Sequence, residues 1–495
     1  GDYAMSCRRH FMKIGVFLAC SLTIAITAFA AYHHSGDTDS DVVLAVYPDI
    51  AGTKLDSCAL CHSGGQYEKK PGAWVTLGSC QWCHYEYGYD ASGDINLTLN
   101  PYGKDYRDNG RNENALISIE DLDSDEDGFS NIEEIAALRF PGNDLDDPSK
   151  VTAPYRIYSR DELEGMKQHT QFMLMNTHKS GDFYAEYTGI PLEDLLEDAG
   201  MLPSATGIMV YAPDGWAQYH PLDPDPDPLF YHIRGAYPQA SFYYDEEADE
   251  LLTSYGWCNY EAPSCDGYQD GDSIENENGL KAILAFKRDG EYLETGQLGS
   301  DNKLDGEGPF RVVPPQKTPG PPDQSSNASN QDVIWPFDED ADHNAGFSSR
   351  TVTMIKIEPL PEGTTDLDIQ EAGWNFVDEN KVIVYGAINP VPMIKEKLTE
   401  MIGIIDLLDK QFFKSPALKR VLTTKIVIAR SLIDMGFFKA GLKKLTEDIM
   451  PKLNGCIEGD SPDKNDLVTS CESQKELYWL IHEVKVLLEG FMTIE

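Results

Sequence analysis

Positive charge is scarce in this chain. Lys and Arg number 40 against 83 Asp and Glu, giving a formal net charge of −43 and a sequence pI near 4.4. A surface of that sign repels phosphate backbones and anionic headgroups, so nucleic acid is excluded as a partner. It favours solubility, cationic partners and divalent cations. Long apolar runs are equally scarce. After the N-terminal stretch no segment reaches the roughly 18 uninterrupted apolar residues of a membrane span, so no transmembrane segment is expected once that stretch is removed. Also missing is any serine, cysteine or paired-carboxylate arrangement of catalytic type, which leaves an enzyme reading without a starting constellation.

The first residues read as an export signal. Met5 and Met12 are candidate starts, Arg8, Arg9 and Lys13 make a positive region, Ile14 to Ile26 is apolar, and Ala28-Phe29-Ala30 is a cleavage pattern. Residues 1–30 are expected to be a signal peptide, the alternative being an uncleaved anchor. The mature protein is then periplasmic or extracellular. The ten cysteines sort accordingly. Cys7 and Cys20 fall in the leader, four lie between Cys58 and Cys83, and Cys258 with Cys265 and Cys456 with Cys471 make close pairs in a disulfide-permissive compartment.

The stretch CALCHSGGQYEKKPGAWVTLGSCQWCH, Cys58 to His84, sets two C-x-x-C pairs 18 residues apart. It fits a four-thiolate zinc site, and it is also two copies of C-x-x-C-H, the attachment sequence of covalent haem. Zinc gives no role to His62 and His84, which directly follow the pairs. Haem uses all six residues: two thiols a helical turn apart bond the vinyl groups, and the adjoining imidazole reaches the iron. Two covalently attached haem c groups are therefore expected, one on Cys58, Cys61 and His62 and one on Cys80, Cys83 and His84. The spacer, with Gly64, Gly65, Pro71 and Gly72, holds them close. Little apolar sequence surrounds it, so porphyrin is expected to supply much of this segment's core. Attachment outside the cytoplasm favours the general secretory route, although RRHFMK also resembles a twin-arginine signal.

DSDEDGFSNIEE matches the twelve-residue calcium loop in full. Asp123, Asp125 and Asp127 take the alternating ligand positions, Gly128 the sharp turn, Phe129 offers its carbonyl, Asn131 acts directly or through water, and Glu134 closes the shell bidentately. A single loop without a partner suggests a Ca2+ staple and not a sensor.

From about Tyr155 to Pro390 short strands alternate with Gly, Pro and Asp turns; TVTMIKIEPL and KVIVYGAI read as strands and PLDPDPDP as an extended acidic loop. GIPLEDLLEDAG, APDGW, GLKAILAFKRDGEYL and GEGPFRVVPPQ occur in an order that resembles the molybdopterin-binding domain of the sulfite oxidase superfamily. That resemblance implies a mixed α/β fold and an Arg311 able to meet an anion. The family's metal-binding cysteine would lie in FMLMNTHKSGDFYAEY, which has none, so no molybdenum is expected. With the two haem motifs and the calcium loop, the chain resembles exported bacterial dihaem c-type cytochromes named for a GEGP motif.

After Pro390 the apolar period becomes helical. Leu418, Leu422, Ile426, Ala429 and Ile433 share one face and Leu477, Ile481, Val484 and Leu488 another, predicting a bundle tied by Cys456–Cys471. The bundle reads as a docking module for a cell surface or as a cap on the β region. The expected fold class is thus multidomain α+β: signal peptide 1–30, dihaem segment 31–112, calcium loop and helix 113–150, sulfite-oxidase-like mixed domain 151–390 and helical bundle 391–495.

The leading functional expectation is electron relay to redox protein partners, other cytochromes among them. A haem-dependent oxidoreductase with a substrate site in the middle domain and a haem-wired binding or assembly module are the alternatives. A relay iron is usually bound on its second face as well. His178, His220, His232 and His343, read as loop residues of the middle domain, are the candidates, with Met166, Met173 and Met175 behind them. His169 is assigned to a helix and His482 to the bundle surface.

Overall fold

The computed structural model describes residues 38–62, 65–70, 73–77, 94–175, 183–213, 216–223, 232–235, 241–243, 265–269, 272–276, 278–299, 304–315, 344–368, 373–459 and 461–494. Residues 1–30, expected to be a signal peptide, and Cys80, Cys83, His84, Cys258, His178 and His343 lie outside them. The protein is mixed α/β, and no helix among the described residues is long and apolar enough to cross a membrane.

Four short helices build the N-terminal part: α1 Thr38–Val46, α2 Pro101–Asp108, α3 Glu113–Ser118 and α4 Asn131–Ala136. Side-chain caps start three of them. Asn100 Oδ1 accepts from the Gly103 N–H, Asn112 Oδ1 from the Ala115 N–H, and Ser130 with Glu133 forms a capping box. They enclose Val43, Tyr47, Ile50, Leu55, Leu60, Tyr102, Tyr106, Leu116 and Ile135. The expected shortage of apolar side chains here is therefore corrected: the segment has a protein core of its own, drawn from residues on both sides of the haem motifs.

Two five-stranded sheets follow. Their strands are β1 Tyr155–Ser159, β2 His169–Met175, β3 Phe183–Pro191, β4 Gly207–Tyr211, β5 Ala217–Pro221, β6 Ile283–Arg288, β7 Glu291–Tyr292, β8 Arg311–Val313, β9 Met354–Glu358 and β10 Lys381–Gly386. The first sheet runs β1-β10-β9-β4-β5, with β9 and β10 parallel and the other neighbours antiparallel. The second runs β7-β6-β3-β2, with β8 also paired to β6. The strands expected in TVTMIKIEPL and KVIVYGAI are β9 and β10, which are almost continuously buried as central strands should be. His169 departs from expectation. The helix α5, Arg160–Glu164, opens on a Ser159–Glu162 capping box and stops at Gly165, and His169 begins β2. Pairing with β3 along seven residues outweighs the local helical pattern.

Ile208, Val210, Ile355, Ile357, Val382 and Val384 of the first sheet share one core with Ile190, Leu284, Phe286 and Val312 of the second. Helix α6, Leu192–Asp198, adds Leu192, Leu195 and Leu196. The C-terminal helices are α7 Val391–Leu407, α8 Pro416–Asp434, α9 Phe438–Lys443 and α10 Cys471–Ile494. The two expected stripes are buried among them, with Leu418 only partly so, and Cys456 bonds Cys471. The segments share cores: Phe491 of α10 enters the sheet core, and Val151 enters that of the bundle.

The N-terminal part is fastened to the sheets by buried charge. Lys54 Nζ lies 2.8 Å from Asp146 Oδ2 and 2.8 Å from Thr365 Oγ1, with both charged side chains almost sealed from solvent. Arg139 reaches Asp368 at 3.0 Å and the Lys150 carbonyl at 2.9 Å. Replacing Lys54 with Met leaves Asp146 short of a buried partner, which should cost about 3–5 kcal/mol. Urea unfolding of the variant against the parent measures it; a loss under about 1 kcal/mol, as for an exposed pair, is the contrary result.

Candidate metal centres

The first C-x-x-C-H is a single tight turn. Cys58–Leu60 is 3-10 helical, the Cys61 N–H donates to the Cys58 carbonyl at 3.2 Å, and the His62 N–H donates to the same oxygen at 3.0 Å. Both cysteines and the histidine are thus placed within one turn, as two-point attachment beside an axial imidazole requires. Helix α2 clamps the turn. Asn100 Nδ2 donates to the Leu60 carbonyl at 3.0 Å, and the Asn100 N–H donates to that of Cys61 at 3.0 Å. A Cβ on Gly103 would sit 2.1 Å from the Cys61 oxygen, so only glycine permits this approach. Beneath lies Tyr102, whose phenol burial drives far above its ordinary range.

His62 carries a specific chemical signal. Its Nδ1 is 2.6 Å from Thr98 Oγ1, and that hydroxyl donates its own proton to the Ile95 carbonyl at 2.7 Å. With the Thr98 proton on the Ile95 carbonyl, Thr98 accepts from the His62 Nδ1–H, the tautomer whose basic lone pair lies on Nε2. Orientation of a metal-binding imidazole through its other nitrogen is the usual outer-shell device. Thr98, Asn100 and Gly103 were not anticipated from sequence, because they act from more than thirty residues downstream. The residues present fit a covalent haem on this turn.

Of the described candidates for the second face of an iron, His232 lies in irregular structure as expected, and His220 does not. His220 is on β5, not on a loop, and is buried, which depresses its imidazole to about 3 and keeps it neutral. His232 is half-buried in a bend whose next residue, Ile233, donates its N–H to the Pro221 carbonyl at the end of β5. The spacer between the two C-x-x-C-H motifs forms an antiparallel hairpin, Gly65–Lys70 with Ala73–Leu77, and its second strand packs beside β5. Met173 and Met175 are sealed in the core of the second sheet, and Met166 is partly buried against the first core. His482 is half-buried, edge-on to Trp479 with ring centroids 5.3 Å apart, rather than solvated.

The loop expected to hold calcium gathers three of its carboxylates, those of Asp123, Asp125 and Asp127. Each brings an oxygen within 4.8 Å of the others. Glu126 and Gly128 take left-handed backbone conformations, at φ +66° and +102°, which wind the chain around the cluster. Asp123 also accepts the Asp127 and Gly128 N–H groups, and the Phe129 N–H donates to Asp127. Asn131 braces the loop, donating to the Ile119 carbonyl at 2.7 Å and accepting from the Ser124 N–H at 3.3 Å. Glu134 is fully buried, and both its carboxylate oxygens lack hydrogen-bond partners, as do both of Asp125 and one of Asp127. Burial and then the neighbouring aspartates push Glu134 up to about 9 and Asp125 to about 6. Such a cluster is satisfied by a hard divalent cation in its midst.

The GEGP turn has a different role. Gly306 is at φ +82°, where a Cβ would sit 2.6 Å from the Thr295 carbonyl oxygen, and a Cβ on Gly308 would sit 2.7 Å from that of Leu293. Glu307 accepts from Arg311 at 2.7 Å and Arg288 at 2.7 Å, while Arg311 also donates to the Tyr187 hydroxyl at 3.1 Å. Burial opposes it, but the two guanidinium groups hold Glu307 below the ordinary carboxylate range. Arg311, expected to meet an anion, is thus bonded at Nη1 from within the chain, while its Nε is buried without a hydrogen-bond partner. The motif braces a turn.

Comparison with models of known protein families, with curated proteins and with solved structures finds no match.

A raised carboxylate pKa adds stability below its unfolded value and removes it as pH rises toward the folded one. Metal-free protein should therefore lose stability at this loop between about pH 5 and pH 8, and calcium should restore it. Melting curves with calcium and with chelator should diverge increasingly over that range. At a hundredfold excess over the dissociation constant the gain is about 2.7 kcal/mol. Glu134→Gln should erase most of the difference; equal calcium shifts in variant and parent would contradict the assignment.

Proposed function

We propose that this protein is an exported dihaem c-type electron-relay protein, related in architecture to the GEGP-motif cytochromes, with a structural Ca2+ in the loop Asp123–Glu134. Covalent haem supplies one-electron exchange at iron. The chain's part is to present two thiols and an imidazole on one turn, to hold that imidazole's proton on Nδ1, and to keep the turn rigid against α2. The pairing of His62 Nδ1 with Thr98 carries the reading, because a zinc site built from the four cysteines gives the histidine no such task. His220 and His232 are proposed as the source of a second axial ligand, supported by the packing of the spacer hairpin beside β5. Redox proteins outside the cytoplasm are the proposed partners.

Intact mass after denaturation should exceed that of the polypeptide by two haem groups, with a pyridine haemochrome spectrum to match. Stoichiometric zinc without haemochrome absorption would replace this reading with a structural zinc site. Thr98→Val should leave the haem attached but shift its reduction midpoint, because the imidazole loses its orienting acceptor. His220→Ala and His232→Ala are to be compared by visible and EPR spectra. One of them should turn a low-spin iron high-spin; parent spectra from both would place the second ligand elsewhere.

A further inference from the structure

Charge is distributed very unevenly. Residues 391–495 hold 15 basic and 16 acidic side chains, so nearly all of the −43 belongs to the rest of the chain. Within the bundle, residues 410–444 hold nine Lys or Arg and one acid, Asp434. Helix α8 crosses this stretch and is apolar on two sides. Leu422, Ile426, Ala429 and Ile433 face the core, whereas Val421, Val427 and Ile428 are exposed on the outside, continued by Met435 and Phe437 at 60% and 57% exposure. Positions 421, 424, 428, 431 and 435 repeat at helical spacing, so the outer residues form a stripe. Lys425 and Lys444 share Asp448, but the exposed Arg420 and Lys439 have no acidic partner among the described residues.

The opposite kind of surface occurs near the N-terminus. Residues 113–147 hold twelve acidic side chains and one basic, Arg139. Among them Ile117 and Leu122 are exposed at 54% and 44%, beside the exposed Glu113 and Asp121. These four residues are outside the calcium ligand set.

We propose that copies of this chain associate head to tail, the basic apolar face of α8 in one copy seated on the acidic apolar face around Ile117 and Leu122 of the next. Both faces pair exposed aliphatic side chains with charge, and the charges are opposite. A symmetric contact between two such faces would set Arg420 of α8 and Lys439 of α9 against the same side chains of the partner. A lipid surface acidic enough to attract α8 would repel the remaining residues, where 67 acids face 25 bases. At physiological ionic strength the screening length is about 8 Å, so contacting patches outweigh the repulsion between net charges. A heterologous contact of this kind repeats, giving rings or open chains.

The test uses calcium-loaded protein in sedimentation velocity at about 0.15 M salt. The parent should form species larger than one chain as concentration rises. Arg420→Glu/Lys439→Glu and Glu113→Lys/Asp121→Lys should each weaken association at least tenfold. Mixed one to one, the two variants should associate again, because each reversed face meets a complementary one. Recovery in the mixture also shows that neither variant is merely misfolded. A parent that stays monomeric throughout, variants that associate like the parent, or a mixture that stays monomeric would each overturn the proposal. So would a parent that binds phosphatidylserine vesicles while remaining monomeric, which would assign the face to lipid.

Discussion

The joint made by Lys54, Asp146 and Thr365 holds together parts of the chain that no local pattern connects. Its partners are 92 and 311 residues apart. Removing an ammonium and a carboxylate from water costs several kcal/mol per ion, and only close, fully bonded geometry offsets this. Asp146 meets that demand with Lys54, the Thr365 hydroxyl and the Phe140 N–H. The chain of charge then continues inward. Lys356 on β9 lies 3.0 Å from Glu358 and 3.1 Å from Asp366, and Tyr385 on β10 donates to Asp366 at 2.8 Å. Burial works against ionisation of Asp366, but Lys356 and then Lys54 keep it below the ordinary carboxylate range. A line of alternating charge thus runs from just before the C-x-x-C-H turn to the central strands. Apolar packing would tolerate some sliding at that junction, whereas this set of bonds closes in one arrangement.

The acidic loop is coupled to the same joint through helix α4. The Arg139 N–H donates to the Glu134 carbonyl at 2.8 Å, and Arg139 then reaches across to Asp368. The residue whose carboxylate closes the loop and the one that bridges to the sheets therefore share a turn. Asp146 and Asp125 both repel an ionised Glu134. A cation in the loop would offset that repulsion and steady the Glu134 carbonyl that accepts from the Arg139 N–H. Its effect would be architectural, at a distance from any iron, which accords with a single loop that lacks a second to open against.

Much of the chemistry-bearing pattern was legible because it is local. Asp123, Asp125 and Asp127 come together at the spacing that singled them out, and the buried stripes of α8 and α10 follow from one period. Cys456 and Cys471 bond as their closeness suggested. What sequence missed depends on distant chain. His220 directly precedes the Pro- and Asp-rich PLDPDPDP, which reads as loop, yet β4 pairs with its strand across a full antiparallel register. Thr98 has no motif of its own; it matters because residues 95–98 fold back on His62. The core of the N-terminal part was overlooked because Val43, Leu55, Tyr102 and Leu116 are sparse along the sequence and dense only in space.

The phrase GEGPFRVVPPQ illustrates how a recognisable motif can lack a chemical role. Its most distinctive charges, Glu307 and Arg311, neutralise one another beside Arg288 and Tyr187, and its glycines are required by backbone that passes too close for a Cβ. A brace and a site are separated by asking whether polar atoms are left with work outside the protein. At the GEGP turn the carboxylate of Glu307 finds partners in the same sheet. At Glu134 both carboxylate oxygens are buried without one. Arg311 keeps one buried Nε unmatched beside its bonds to Glu307 and Tyr187, whereas at Glu134 the whole carboxylate is unmatched, and that difference separates the brace from the candidate site.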